Sequence, residues 1–207
     1  NPSLGLFDVQ RFDENLEATN APGTVGTWNE DPFHFNDIEP LPRALADRFP
    51  GFEAGDLLIS SRGLNAVFVL DPETLEIRWY RVGATLRQHD PDWLSDGAIS
   101  VFDNRMGRGP SQIVEIRPDT FERTVLFDGA EAGFYSRIRG RHARTPNGHI
   151  LIASPQQGRG FEIDTTGEVV MEFFNFGPDG TDLNLALTEF VWVPETSLTL
   201  EDITCAQ

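Results

Sequence analysis

The sequence predicts an all-β chain organised as a β-propeller, with about three complete four-stranded blades and part of a fourth. Three observations carry that expectation. Three of the four histidines, His34, His89 and His142, recur 55 and 53 positions apart. Roughly 40 to 50 residues is the usual length of a four-stranded blade. Each histidine is followed by three short β-branched or apolar runs separated by turn dipeptides. No stretch holds a helical period.

The runs can be taken in order. After His34 and a polar insertion come Gly55–Ser60, Ala66–Pro72 and Glu76–Tyr80. After His89 come Gly97–Phe102, Gln112–Pro118 and Arg123–Phe127. After His142 come Gly148–Ala153, Gly160–Asp164 and Glu168–Phe173, and Leu185–Val193 reads as the start of another unit. Asp-Pro, Pro-Asp, Asn-Gly and Thr-Gly pairs punctuate them. The expected division is 1–33 as an N-terminal extension or the end of a preceding blade, blades at 34–83, 84–129 and 130–177, and a partial blade and tail over 178–207.

Propellers close with about four to eight blades, and an open arc would expose two sheet edges and an apolar channel wall. The chain is therefore expected to be part of a larger object, completed by missing upstream blades or by a partner protein chain. Asn1 in place of an initiating methionine fits processing or truncation, and Gln207 fits a native terminus.

Composition restricts the chemistry. A formal charge of −17 argues against nucleic acid or an anionic membrane as partner. All 16 basic residues are arginine, so Schiff-base chemistry and a phosphate-loop lysine are excluded for this chain. No apolar run approaches the ~20 residues that span a bilayer, so a signal peptide or anchor, if present, lies upstream. Cys205 stands alone near the end.

Several segments then carry a family resemblance. They are Trp28-Asn29-Glu30-Asp31-Pro32-Phe33-His34-Phe35-Asn36-Asp37, Leu57–Arg62, Arg87-Gln88-His89-Asp90-Pro91-Asp92-Trp93 with Val101-Phe102-Asp103-Asn104, and Thr145-Pro146-Asn147-Gly148. From about Trp28 to Phe176 the chain resembles the bacterial arylsulfotransferase (ASST) family, most specifically in Gln-His followed by Phe-Asp-Asn. The resemblance implies a six-bladed propeller, usually periplasmic. It also implies transfer of a sulfuryl group between phenols through a sulfohistidine, with a small aromatic sulfate or phenol as substrate and no cofactor.

By that resemblance His34 and His89 are the first and second active-site histidines. Arg108 corresponds to the sulfate-binding arginine after Phe-Asp-Asn, with Arg105 as near alternative, because the loop departs from the family's Asp-Asn-Gly. His142 holds the corresponding place in the next blade and is the expected nucleophile. Asn36 and Arg141 complete the expected substrate-binding set. A neutral imidazole is a competent nucleophile, while further imidazoles and an arginine can hold the sulfuryl oxygens.

Competing readings stand beside these. Each histidine could instead tie a strand end to a carbonyl, and His149, off the register, is read that way. Arg137, Arg139 and Arg141 share a face if the strand alternates there; with Arg144 they form either an anion-binding wall or an outward set paired with carboxylates. Asp37, Asp90 and Asp92 beside histidines suggest a divalent metal, but without a tight motif such as His-Glu-x-x-His, and no metal ligand is assigned. Trp79 resembles the docking tryptophan of quinone-dependent dehydrogenases but lacks the preceding Thr-Gly, so it reads as packing between blades. Phe33, Phe35, Trp93 and Tyr135 could hold a phenol or fill the core. A propeller that only binds, as a scaffold subunit of a periplasmic or membrane-associated assembly, is the non-enzymatic alternative.

Overall fold

The protein is represented by a computed structural model, which describes residues 33–178, 183–194 and 197. Most of the expected N-terminal extension, and Cys205, lie outside the described residues.

Turn chemistry divides the described residues into twelve strands. The first sheet holds β1 (Phe35–Pro40), β2 (Leu57–Ser61), β3 (Ala66–Leu70) and β4 (Ile77–Val82). The second holds β5 (His89–Trp93), β6 (Ile99–Asp103), β7 (Gln112–Ile116) and β8 (Arg123–Asp128). The third holds β9 (Arg141–Arg144), β10 (Ile150–Ser154), β11 (Arg159–Ile163) and β12 (Val169–Phe174). Each sheet is an antiparallel meander in chain order. The outermost hairpins share one device: Leu75, Phe121 and Gly167 all adopt left-handed φ at corresponding turn positions.

The middle sheet shows why these runs read as continuously apolar. Along β6 and β7, Val101, Val114 and Ile116 point to the first sheet, where they join Leu58, Val67, Val69 and Trp79, together with Trp93 of β5. Their neighbours Phe102 and Ile113 point to the third sheet and join Phe134, Ile150, Ile152, Phe161 and Ile163. A strand packed on both faces needs apolar residues at successive positions. Each such side chain contributes about 1.5–3 kcal/mol when fully buried. Trp79 lies between the first two sheets and stacks on Phe121, with ring centroids 6.1 Å apart.

Three sheets packed face to face, with their first strands β1, β5 and β9 brought side by side, are propeller blades. The chain is all-β. Residues 183–194 form no strand beyond one bridge between Phe176 and Asn184. Instead they double back over the third sheet, where Leu187 and Phe190 press on Gly160 so closely that a Cβ there would meet them at 2.8–2.9 Å. Among the described residues no helix is long and apolar enough to cross a membrane.

Candidate functional site

The line along which β1, β5 and β9 meet is where the register of the three histidines leads. A cleft of about 180 Å³ opens there. Its walls are Asn36 and Asp37 from β1, His89 and Asp90 from β5, Arg139 to Arg141 at the start of β9, Pro155, and Thr188 with Glu189 from the returning C-terminal segment.

The motif residues around His89 have separable tasks. Gln88 is fully buried, and its amide donates to Ser60 Oγ at 3.1 Å and to the carbonyls of Ser61 and Ala66 at 3.1 and 2.9 Å. It thereby locks the start of β5 onto the first blade. Phe102 fills the second core against Phe134 and lies so close to Gly140 that a Cβ there would stand 2.6 Å from its ring. Asp103 accepts the Leu86 N–H at 2.8 Å and an Arg123 guanidinium N–H at 3.0 Å.

Asn104 completes the set. Its amide nitrogen donates to the Ser136 and Arg139 carbonyls at 2.8 and 2.6 Å, which turns its oxygen toward His89 Nδ1 at 2.7 Å. Nδ1 therefore carries the proton. Nε2 keeps its lone pair, which accepts the Arg139 backbone N–H at a long 3.2 Å. Burial above all, then the charges of Arg62 and His34, push the His89 pKa down to about 4 against the Asn104 hydrogen bond. His89 is neutral at pH 7.

His142 occupies the same place in the next blade under opposite conditions. Its backbone N–H and Nδ1 both meet Asp90 Oδ2, at 2.6 and 3.0 Å, and Nε2 meets Ser100 Oγ at 2.8 Å. Asp92 Oδ2 is 3.6 Å from Nε2, and the side chain is 1% exposed. Burial disfavours its charge, yet the Asp90 hydrogen bond and the Asp92 and Asp90 carboxylates outweigh burial and raise its pKa. The expected nucleophile is thus sealed behind the cleft wall with both nitrogens committed.

Around it lies an acidic cluster. Burial, then the neighbouring Asp90 carboxylate, lifts Asp37 to about 6. Burial likewise lifts Glu39 to about 7, against the Trp93 N–H it accepts. Asp92 is also raised to about 7, chiefly by burial, opposed by His142. Asp90, Asp92 and His142 bring three donor atoms within 4.8 Å of one another. They could hold a divalent cation only if His142 gave up hydrogen bonds that it now makes.

The other expected residues separate. His34 has left-handed φ (46°), and its carbonyl accepts the Arg62 N–H at 3.0 Å. Its charge is felt at His89, so these two histidines do share a locality. Asn36 donates to the Gln88 carbonyl at 2.8 Å and lines the cleft, and its Oδ1 is buried with no hydrogen-bond partner. Arg141 reaches Asp90 at 3.4 Å and Glu189 at 3.1 Å.

Arg105 and Arg108 line a different groove, with Asn65, Thr85, Asp103 and Arg123. Arg105 has left-handed φ (50°), which turns the chain away from the first strands directly after Asn104. The expected alternation of Arg137, Arg139 and Arg141 fails because Arg139 and Gly140 also have positive φ and β9 begins only at Arg141. His149 pairs with Glu162 across the β10–β11 hairpin at 2.7 Å. Trp93 is core, Tyr135 accepts the Gly107 N–H at 3.2 Å, and Phe33 stacks on Phe35 at 5.8 Å.

Arg62 and Arg87 are the functional candidates that the sequence reading passed over. Arg87 is buried, and burial together with the Arg62 charge pulls its pKa to about 10. Both flank the motif: Arg87 directly precedes Gln88, and Arg62 follows the Ser60-Ser61 pair that Gln88 grips. Thr188 and Glu189 gave no sequence signal at all.

The family model described as Arylsulfotransferase (ASST) matches residues 6–177. The chain belongs to the arylsulfotransferase family. No curated protein gives a significant match. Among solved structures, a Bacteroides caccae protein of unknown function is 15% identical, covering 70% of this chain and 47% of that one, with a TM-score of 0.45. Hydrazine synthase of Kuenenia stuttgartiensis is 13% identical over 74% of this chain and 38% of its own, with a TM-score of 0.47. Apo AztD from Citrobacter koseri is 16% identical over 59% and 32%, with a TM-score of 0.37. The chain spans less than half the length of each of these.

Proposed function

We propose that this arylsulfotransferase-family chain carries a sulfuryl-transfer site in which His89 is the nucleophile. The supporting observation is the state of its ring: Nδ1–H is fixed by Asn104, and an unprotonated Nε2 stands at the cleft wall. Nε2 attacks the sulfur of an aryl sulfate, the N–S bond forms, and the S–O(aryl) bond breaks to release a phenolate. A second phenol then attacks the sulfur, and the bonding pair returns to Nε2. The Arg139 N–H, released from Nε2, is placed to donate to a sulfuryl oxygen. Arg139 and Arg141 line the cleft, and Arg62 adds positive charge at His89.

This reading moves the nucleophile from His142 to His89, because the His142 ring is buried with both nitrogens engaged, Nδ1 by Asp90 and Nε2 by Ser100. The same sealing of His142 favours a second reading, a propeller that binds aryl anions without turning them over. Radiolabelled aryl sulfate given to the full-length protein separates the two. Acid-labile label on His89 is expected. Label on His142 overturns the assignment, and no labelled histidine leaves the binding module. We also infer that further blades, from the same polypeptide or another chain, complete the ring, and that the protein works in the periplasm or another extracytoplasmic space. Fractionation of the intact protein tests the location.

A further inference from the structure

The transfer proposed above leaves one proton unaccounted for: an acceptor phenol must lose it as its oxygen bonds to sulfur. Five carboxylates lie near the axis, and four are engaged elsewhere or lie off the cleft. Asp90 is bound twice by His142 and once by Arg141. Glu39 accepts the Trp93 N–H, and neither it nor Asp92 lines the cleft. Glu189, on the rim, pairs with Arg141. Asp37 remains, in the cleft wall shared with His89. Beside it Asn36 presents a buried oxygen with no hydrogen-bond partner. A buried acceptor of that kind costs about 1–3 kcal/mol unless a donor arrives, and the orientation is fixed because the Asn36 amide nitrogen already donates to Gln88.

We infer that Asp37 is the general base for the acceptor half of the reaction, and that Asn36 Oδ1 and Asp37 together receive the hydroxyl of the incoming phenol. The inference rests on the sulfuryl-transfer reading. The phenolic O–H points at these two acceptors, its oxygen attacks the sulfur on His89 Nε2, the N–S bond breaks, and the proton passes to Asp37. In the next turnover Asp37 returns that proton to the departing phenolate. The cycle then balances as aryl sulfate plus phenol giving phenol plus aryl sulfate.

The charged surroundings suit a group that both takes and gives a proton. Asp90 across β5 raises the Asp37 pKa, while Arg141 and His142 on β9 and the Ile38 N–H lower it. Burial is the largest influence and brings it to about 6. Glu39 on the same strand, Asp92 on β5, and Arg139, Glu189 and His89 in the cleft are the other ionisable groups around it.

The experiment uses p-nitrophenyl sulfate as donor, whose leaving phenolate needs no proton, and phenol as acceptor. In Asp37→Asn the stoichiometric burst of nitrophenolate is retained, while turnover with phenol falls about 10²-fold or more, the usual worth of a general base. An acidic acceptor such as a polyhalogenated phenol, already ionised at neutral pH, restores turnover in the variant. Asp37→Glu recovers part of the phenol rate. In the wild-type protein, turnover with phenol falls as pH drops below about 6, with the burst unchanged, and this reading survives even if Asp37→Asn does not fold. Unchanged phenol turnover in Asp37→Asn, or a variant equally slow with ionised and neutral acceptors, overturns the role of Asp37. Absence of any burst in the wild-type protein overturns the parent reading instead.

Discussion

His89 and His142 occupy equivalent places in neighbouring blades and differ in almost everything chemical. His89 faces an amide, Asn104, and its pKa is pushed down to about 4; His142 faces a carboxylate, Asp90, and its pKa is raised. Burial penalises the charged imidazole in both. The partner on Nδ1 decides the outcome: an amide oxygen offers too little to offset desolvation, whereas a carboxylate offers enough. Position in a repeat therefore places a side chain without fixing its pKa, and only His89 of the pair lines the cleft, where an electrophile can reach it.

The sharpest break of this comparison is His89→Gln, expected to lower sulfuryl transfer by about 10³-fold or more, measured as turnover of an aryl sulfate, with melting temperature nearly unchanged. Asp90→Asn strikes the other member. The change removes the buried carboxylate that the His142 backbone N–H and Nδ1 share and that Arg141 reaches, so a loss of about 1–3 kcal/mol in chemical denaturation is expected.

A finer measurement compares stability against pH, where the two histidines have opposite signs. The His142 pKa is raised on folding, so its contribution is complete below the ordinary histidine value of 6.5 and is lost as pH rises through the folded value. For His89, depressed from 6.5 to about 4, stability is lost as pH falls across that window. The melting-temperature difference between wild type and His142→Gln should therefore shrink toward alkaline pH. The difference for His89→Gln should move in the variant's favour between pH 6.5 and 4. Parallel curves would show that the two sites are alike.

The smallest effect is expected at Glu189→Gln. Its pair with Arg141 joins side chains 58% and 53% exposed, so about 0–1 kcal/mol is at stake in chemical denaturation, and added salt should erase it.

The blades were legible because strands packed on two faces need unbroken apolar runs, as in Gln112–Ile116 and Ile150–Ser154. The histidine register likewise located the seam between first strands. What stayed hidden depends on distant partners or on single backbone angles. Asp90 lies 52 positions from the His142 it binds. Arg108 missed the cleft because of the left-handed turn at Arg105, and the arginine row before His142 broke at Arg139 and Gly140. None of these angles belongs to a glycine except the last, so composition gave no warning. The fold of Leu185–Val193 back over Gly160 likewise had no periodic signature.

Gln88 carries a final consequence. Its side chain belongs by sequence to the second blade, but its three donated bonds end on Ser60, Ser61 and Ala66 of the first, and the carbonyl of the same residue receives Asn36. The unit that duplicates is a blade; the unit that positions His89 is a joint. Copying one blade into another ring would transplant the imidazole without its alignment, so inheritance of this chemistry runs through pairs of adjacent repeats.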